Sequence, residues 1–182
     1  ELEEIARKAK EDIERLVEEA RRISEEVKRE LTELVERLRR ISEEVRKRIE
    51  DLADELRKKV EDKDTLKRLE EEIRELAERH ERKSRELEKR LKELVDTHRK
   101  KSEDLLRELK RLVEELERVL RRDIKDKKTL KEKVEDILRR IRELLRELRE
   151  NARELVKEIE RLIRELEKDA KRILKKIEDA IR

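Results

Sequence analysis

Eight polar residues stand apart from a chain made almost wholly of charged and aliphatic ones: Ser24, Ser42, His80, Ser84, His98, Ser102, Asn151 and Asp169. His80, Ser84 and Asp169 are the residue types of a hydrolase triad, in which an imidazole takes a hydroxyl proton and a carboxylate orients the ring. Such chemistry also needs a donor for the developing oxyanion and an open substrate cleft. A packed helical rod offers neither, because its backbone N–H groups are committed to its own ladder, so no catalytic residue is expected. His80 with Asp169 could hold a metal ion weakly, yet the chain has only 2 histidines and no cysteine for a zinc site. No metal site and no cofactor are expected. The histidines do imply a pH response: an ordinary imidazole titrates near about 6.5, so acid should weaken a core that holds these rings neutral.

Spacing says what these residues share. Ser24 and Ser42, Ser84 and Ser102, and His80 and His98 each lie 18 residues apart. Aliphatic residues keep the same interval, as in Ile13, Leu31 and Ile49, in Leu16, Leu34 and Leu52, and in Ala20, Leu38 and Leu56. Eighteen residues are five turns at about 3.6 residues per turn, so one face of a straight helix returns to its starting direction. A strict heptad would cover about 17.5 residues in five turns and favour a left-handed supercoil.

The stripe divides the chain into three helices, expected at about 2–61, 65–123 and 129–181. Between the first two it shifts by one residue, about 100° around a helix, which a single unbroken helix could not accommodate. Asp62-Lys63-Asp64-Thr65 supplies the turn there, with Asp64 or Thr65 as the cap. At the second junction the phase runs on nearly unchanged, and the turn rests on the polar gap Lys125-Asp126-Lys127-Lys128 with Thr129 and Glu132 at capping-box spacing. The junctions echo each other, since Asp62-Lys63 and Thr65-Leu66-Lys67 are matched by Asp126-Lys127 and Thr129-Leu130-Lys131. Neither has glycine, so an Asp or Lys is expected to take any left-handed conformation at a helix end. Short connections make neighbours antiparallel. The expected fold is all-α, an elongated antiparallel up-down-up three-helix bundle with nearly straight helices, forming a single domain over residues 1–182.

Folding the chain back on itself predicts which residues meet. A turn about residue 63 makes facing numbers in the first two helices sum to about 126, and a turn between 126 and 127 makes them sum to about 253 in the last two. Two polar layers result: Ser24, Ser102 and Asn151 with His98 a turn away, and Ser42, Ser84 and Asp169 with His80 in the same place. They are expected to bond across helices and select register. The alternative is that the serines bond their own helix carbonyls while Asn151 and Asp169 sit at the seam edge.

Composition narrows function further. Charged residues make up 61% of the chain and apolar ones 33%, with no Gly, Pro, Cys, Met or aromatic residue. The core must be Leu, Ile, Val and Ala, which suits a narrow bundle better than a ligand cavity. A net charge of +3 is the small difference between 57 basic and 54 acidic residues, with signs alternating so that local pairs neutralise one another. Without a basic block no nucleic-acid partner is expected. No apolar run reaches membrane-spanning length and no secretory signal is seen, so no membrane association is expected either. The chain is expected to be soluble, and cytoplasmic if expressed in a cell.

These features together, from the five-turn recurrence and the Glu/Arg/Lys-filled surfaces to the paired Ser, His, Asn and Asp positions, resemble a de novo designed, parametrically generated three-helix bundle. The resemblance spans Leu2 to Ile181, although glycine-free turns depart from the glycine-capped habit of that class. It implies an untwisted single-chain scaffold without natural biochemical activity, needing no partner as a monomer. A natural spectrin-like spacer uses the same helical physics. The functional alternative is an oligomerising or partner-binding module: Leu138, Leu145, Val156, Ile163 and Leu174 broaden the apolar face of the third helix, and Leu106 follows Glu88 by 18 residues. If exposed, such a strip would promote self-association.

Overall fold

The computed structural model describes residues 2–122 and 125–181. They form α1 (Leu2–Lys59), α2 (Lys63–Arg121) and α3 (Lys127–Ile181), with no strand among the described residues. The protein is an all-α, antiparallel three-helix bundle. Charges at the helix ends complement the backbone dipole where they occur: Glu3 and Glu4 open α1, Arg57, Lys58 and Lys59 close it, and Asp64 and Arg121 do the same for α2.

The junctions differ from expectation in one instructive respect. Asp62, rather than Asp64 or Thr65, caps α2: one carboxylate oxygen accepts the Asp64 N–H at 3.4 Å and the other accepts the Thr65 hydroxyl at 2.6 Å. The first backbone bond of the helix runs from the Leu66 N–H to the Asp62 carbonyl, 2.9 Å. Asp126 does the same for α3, accepting the Lys128 N–H at 3.2 Å and the Thr129 hydroxyl at 2.7 Å. Thr129 is therefore the third residue of α3 and not its cap. Each aspartate carboxylate satisfies two donors at once, a backbone N–H and a threonine hydroxyl, and both helices begin two residues earlier than predicted. α1 ends at Lys59 instead of residue 61, and the expected end of the second helix, residue 123, lies outside the described residues. Among the described residues none has positive φ, so no Asp or Lys takes the left-handed conformation expected at these turns.

The chain packs as two compact units, each drawing a stretch from all three helices. One comprises Glu1–Glu30 and Val95–Val156, the other Leu31–Leu94 and Lys157–Arg182. The first unit buries Ala9, Ile13, Ala20 and Val27 of α1, Leu109 and Leu116 of α2, and Ile137, Ile141 and Leu148 of α3. In the second, Val45, Ile49, Leu52 and Leu56 pack with Ile73, Ala170, Ile173 and Ile177. Fully burying a side chain of this size contributes roughly 1.5–3 kcal/mol, against roughly 0–1 kcal/mol for an exposed ion pair, so the aliphatic stripe dominates stability.

Ion pairs report the register. In the second unit Arg37 meets Glu167 and Arg48 meets Glu178, both 130 residues apart, so α1 and α3 run parallel. Ser42 opposes Ser84 and Arg57 opposes Glu70, antiparallel pairs whose numbers sum to 126 and 127. In the first unit Arg149 pairs with Glu19, again 130 residues apart. The broad apolar face of α3 turns inward, with Leu138, Leu145 and Ile163 buried and Val156 and Leu174 half-buried. Leu106 of α2 is also half-buried.

Candidate functional site: two polar layers

In the first unit the polar layer is organised by His98. Its Nδ1 lies 2.9 Å from Asn151 Nδ2 of α3, and its Nε2 lies 3.2 Å from Ser102 Oγ, one turn along α2. Because the Asn151 amide nitrogen can only donate, Nδ1 accepts, which leaves the Nε2–H to donate to Ser102. Both ring nitrogens are satisfied and the tautomer is fixed by a neighbour on another helix. Ser24 is half-buried on α1 and is not a partner in these bonds.

The second unit carries the same residues 18 positions away, wired differently. Ser42 Oγ of α1 donates to Ser84 Oγ of α2 at 3.3 Å, and Ser84 Oγ lies 3.5 Å from His80 Nε2. His80 Nδ1 is buried without a hydrogen-bond partner. Asp169, the counterpart of Asn151, instead pairs with Lys83 Nζ at 3.2 Å and leaves 16% of its side chain exposed. Thus Ser42, Ser84 and His80 come together, and Asp169 lies at the edge. His80 and Ser84 are the buried polar residues among those described.

Electrostatics follow from these surroundings. Burial pushes the His80 pKa below the ordinary imidazole value; Asp169 and Glu81 oppose the shift, while Arg46 and Lys83 add to it. Burial also lowers His98, with Lys101 adding to the effect. An unpartnered buried nitrogen costs about 1–3 kcal/mol, so the His80 layer is the weaker of the two by this measure.

The triad residues have the wrong connections for acyl transfer: His80 Nε2 is at the long limit of a bond to Ser84, and the Asp169 carboxylate is held by Lys83 rather than His80 Nδ1. Among the described residues no group of three or more His, Cys, Asp or Glu is placed to hold a metal ion. A cavity of about 290 Å³ adjoins the second layer, lined by Ser42, Ile49, Ala77, His80 and Ser84, with Arg46, Glu50 and Glu81 charged around it. Among the described residues no helix is long and apolar enough to cross a membrane.

Sequence reasoning overlooked Lys83, the residue that pairs with Asp169 at the edge of its layer. The signal was present in Arg79-His80-Glu81-Arg82-Lys83-Ser84-Arg85, a locally basic run in a chain of alternating signs. Compared with protein-family models, curated proteins and solved structures, the chain matches none.

Proposed function

We propose that this chain is a structural scaffold of the de novo designed, parametric kind, whose task is to hold three helices in one register. The observation that carries this reading is the pair of polar layers inside an otherwise aliphatic interior: one joins α1 to α2 through the Ser42–Ser84 hydrogen bond, the other α2 to α3 through the Asn151–His98 bond. Aliphatic stripes with a regular repeat tolerate sliding by whole turns. Donors and acceptors do not, because a slip strands them at about 1–3 kcal/mol each. Inward placement of Leu138, Leu145 and Ile163 supports a scaffold over an association module.

The test compares the parent with a variant lacking both layers: Ser42→Ala, His80→Leu, Ser84→Ala, His98→Leu, Ser102→Ala and Asn151→Leu. Spin labels at Arg46 and Glu81, and separately at Arg90 and Glu158, report the two interhelical registers. The parent should give one narrow distance for each pair and the variant a broadened or multiple distribution. Equally narrow distances in the variant would show that the layers do not select register.

A further inference from the structure

In the second unit α2 and α3 border a groove of about 420 Å³ whose walls carry Arg79, Arg82, Lys83, Arg172 and Lys176 against Glu86 and Asp169. Five cations against two carboxylates leave an excess of +3, equal to the net charge of the whole chain. Lys83 and Asp169 neutralise each other at 3.2 Å. Among the described residues, Arg79, Arg82, Arg172 and Lys176 form no ion pair, in a protein whose arginines are widely paired. Helical spacing aggravates the imbalance: Arg79 faces Arg82 and Lys83 at three and four residues, and Arg172 faces Lys176 at four. Like charges so placed repel; where the same spacing recurs, in Arg107, Lys110 and Arg111, Asp104 pairs with Arg107 and Glu108 with Arg111.

We propose that this groove is a binding site for a condensed inorganic phosphate, with pyrophosphate as the simplest member of the class. Three guanidinium groups from two helices present forked donors that match phosphate oxygens. A ligand with several negative charges relieves repulsion within α2 and within α3 together. One tetrahedral anion engages fewer of the cations, so affinity should rise with the number of linked phosphates. At about 30 Å³ per water, the groove has room for such an ion with part of its hydration shell. The aliphatic stems of the cations, with Leu76 and Ile173 beneath, give the groove an apolar floor.

Titration of the full chain with inorganic pyrophosphate, followed by amide chemical shifts at low ionic strength, tests the site. Shifts should cluster at residues 79–86 and 169–176, with a submillimolar Kd that is about tenfold or more below that for orthophosphate and weakens as salt screens the charges. Arg79→Gln with Arg172→Gln should weaken binding about tenfold or more. Arg107→Gln with Arg111→Gln removes the same charge from exposed positions of the other unit and should change Kd less than about twofold. Circular dichroism checks that both variants keep the parent helicity. The proposal fails if pyrophosphate gives no saturable shifts, if the shifts scatter over the surface, or if both variants lose affinity equally.

Discussion

His80 and His98 occupy equivalent positions in two layers yet differ in one atom's company. Asn151 donates to His98 Nδ1, while the same atom of His80 has no partner and Asp169 pairs with Lys83. Replacing Asp169 by Asn should bring an amide donor to His80 and stabilise the fold by about 1 kcal/mol, after loss of a partly exposed ion pair that contributes little. Guanidinium denaturation of Asp169→Asn checks this, and a lowered midpoint would contradict it. Burial holds both imidazoles below their ordinary pKa, so the unfolded chain binds protons on them at higher pH than the folded chain does. Stability from the neutral rings is therefore complete above about pH 6.5, declines as pH falls through that value, and levels off once the folded rings are also protonated. The denaturation midpoint should be lower at pH 5 than at pH 7.5, and His80→Leu with His98→Leu should remove most of that difference.

At the scale of the helix, the aliphatic period was legible because nothing competes with it. The cap residues were harder to place. Asp62 and Thr65, like Asp126 and Thr129, are both acceptable N-caps by type, and only the geometry shows the threonine hydroxyl donating back to the aspartate. These bonds hold both carboxylates below the usual pKa, led by the threonine hydroxyl in each case and aided by a backbone N–H. Their contribution is present above the ordinary carboxylate range and is lost as pH falls through the lowered values. Asp62→Ala and Asp126→Ala should each lower the denaturation midpoint at pH 7 and speed amide exchange in the first turn of α2 or α3. Asparagine at either position should retain most of the cap while removing its acid response. Unchanged exchange in the alanine variants would deny the aspartates this role.

For the molecule as a whole, the three-helix class followed from one stripe, one phase shift and one polar gap. The first fold-back was predicted closely, since Ser42 and Ser84 meet at the expected sum of 126. The second was less so: Lys83 with Asp169, Arg90 with Glu158, and His98 with Asn151 give sums from 248 to 252 instead of about 253. Which polar residues would bond was less legible than which would share a level, because a rotamer or a nearby lysine decides it. Ser84→Ala alone removes the acceptor of Ser42 and the neighbour of His80 Nε2 and should cost about 1–3 kcal/mol. Ser42→Ala, His80→Leu and Ser84→Ala together should cost less, or add stability, because no polar atom of that set is then left alone. Denaturation curves for the two variants should fall in that order, and the reverse order would sink the argument.

The two layers also have a consequence for how α2 is addressed by its neighbours. His80-Glu81-Arg82-Lys83-Ser84 and His98-Arg99-Lys100-Lys101-Ser102 spell one word twice, a histidine and a serine four residues apart at an 18-residue interval. α2 alone cannot tell the two addresses apart; the distinction is written on its neighbours, in Ser42 and Asn151. Within one chain the short connections forbid the ambiguity. Between chains they do not, and the cheapest mistaken pairing is a stagger of five helical turns, in which one of the two histidines takes the other's place.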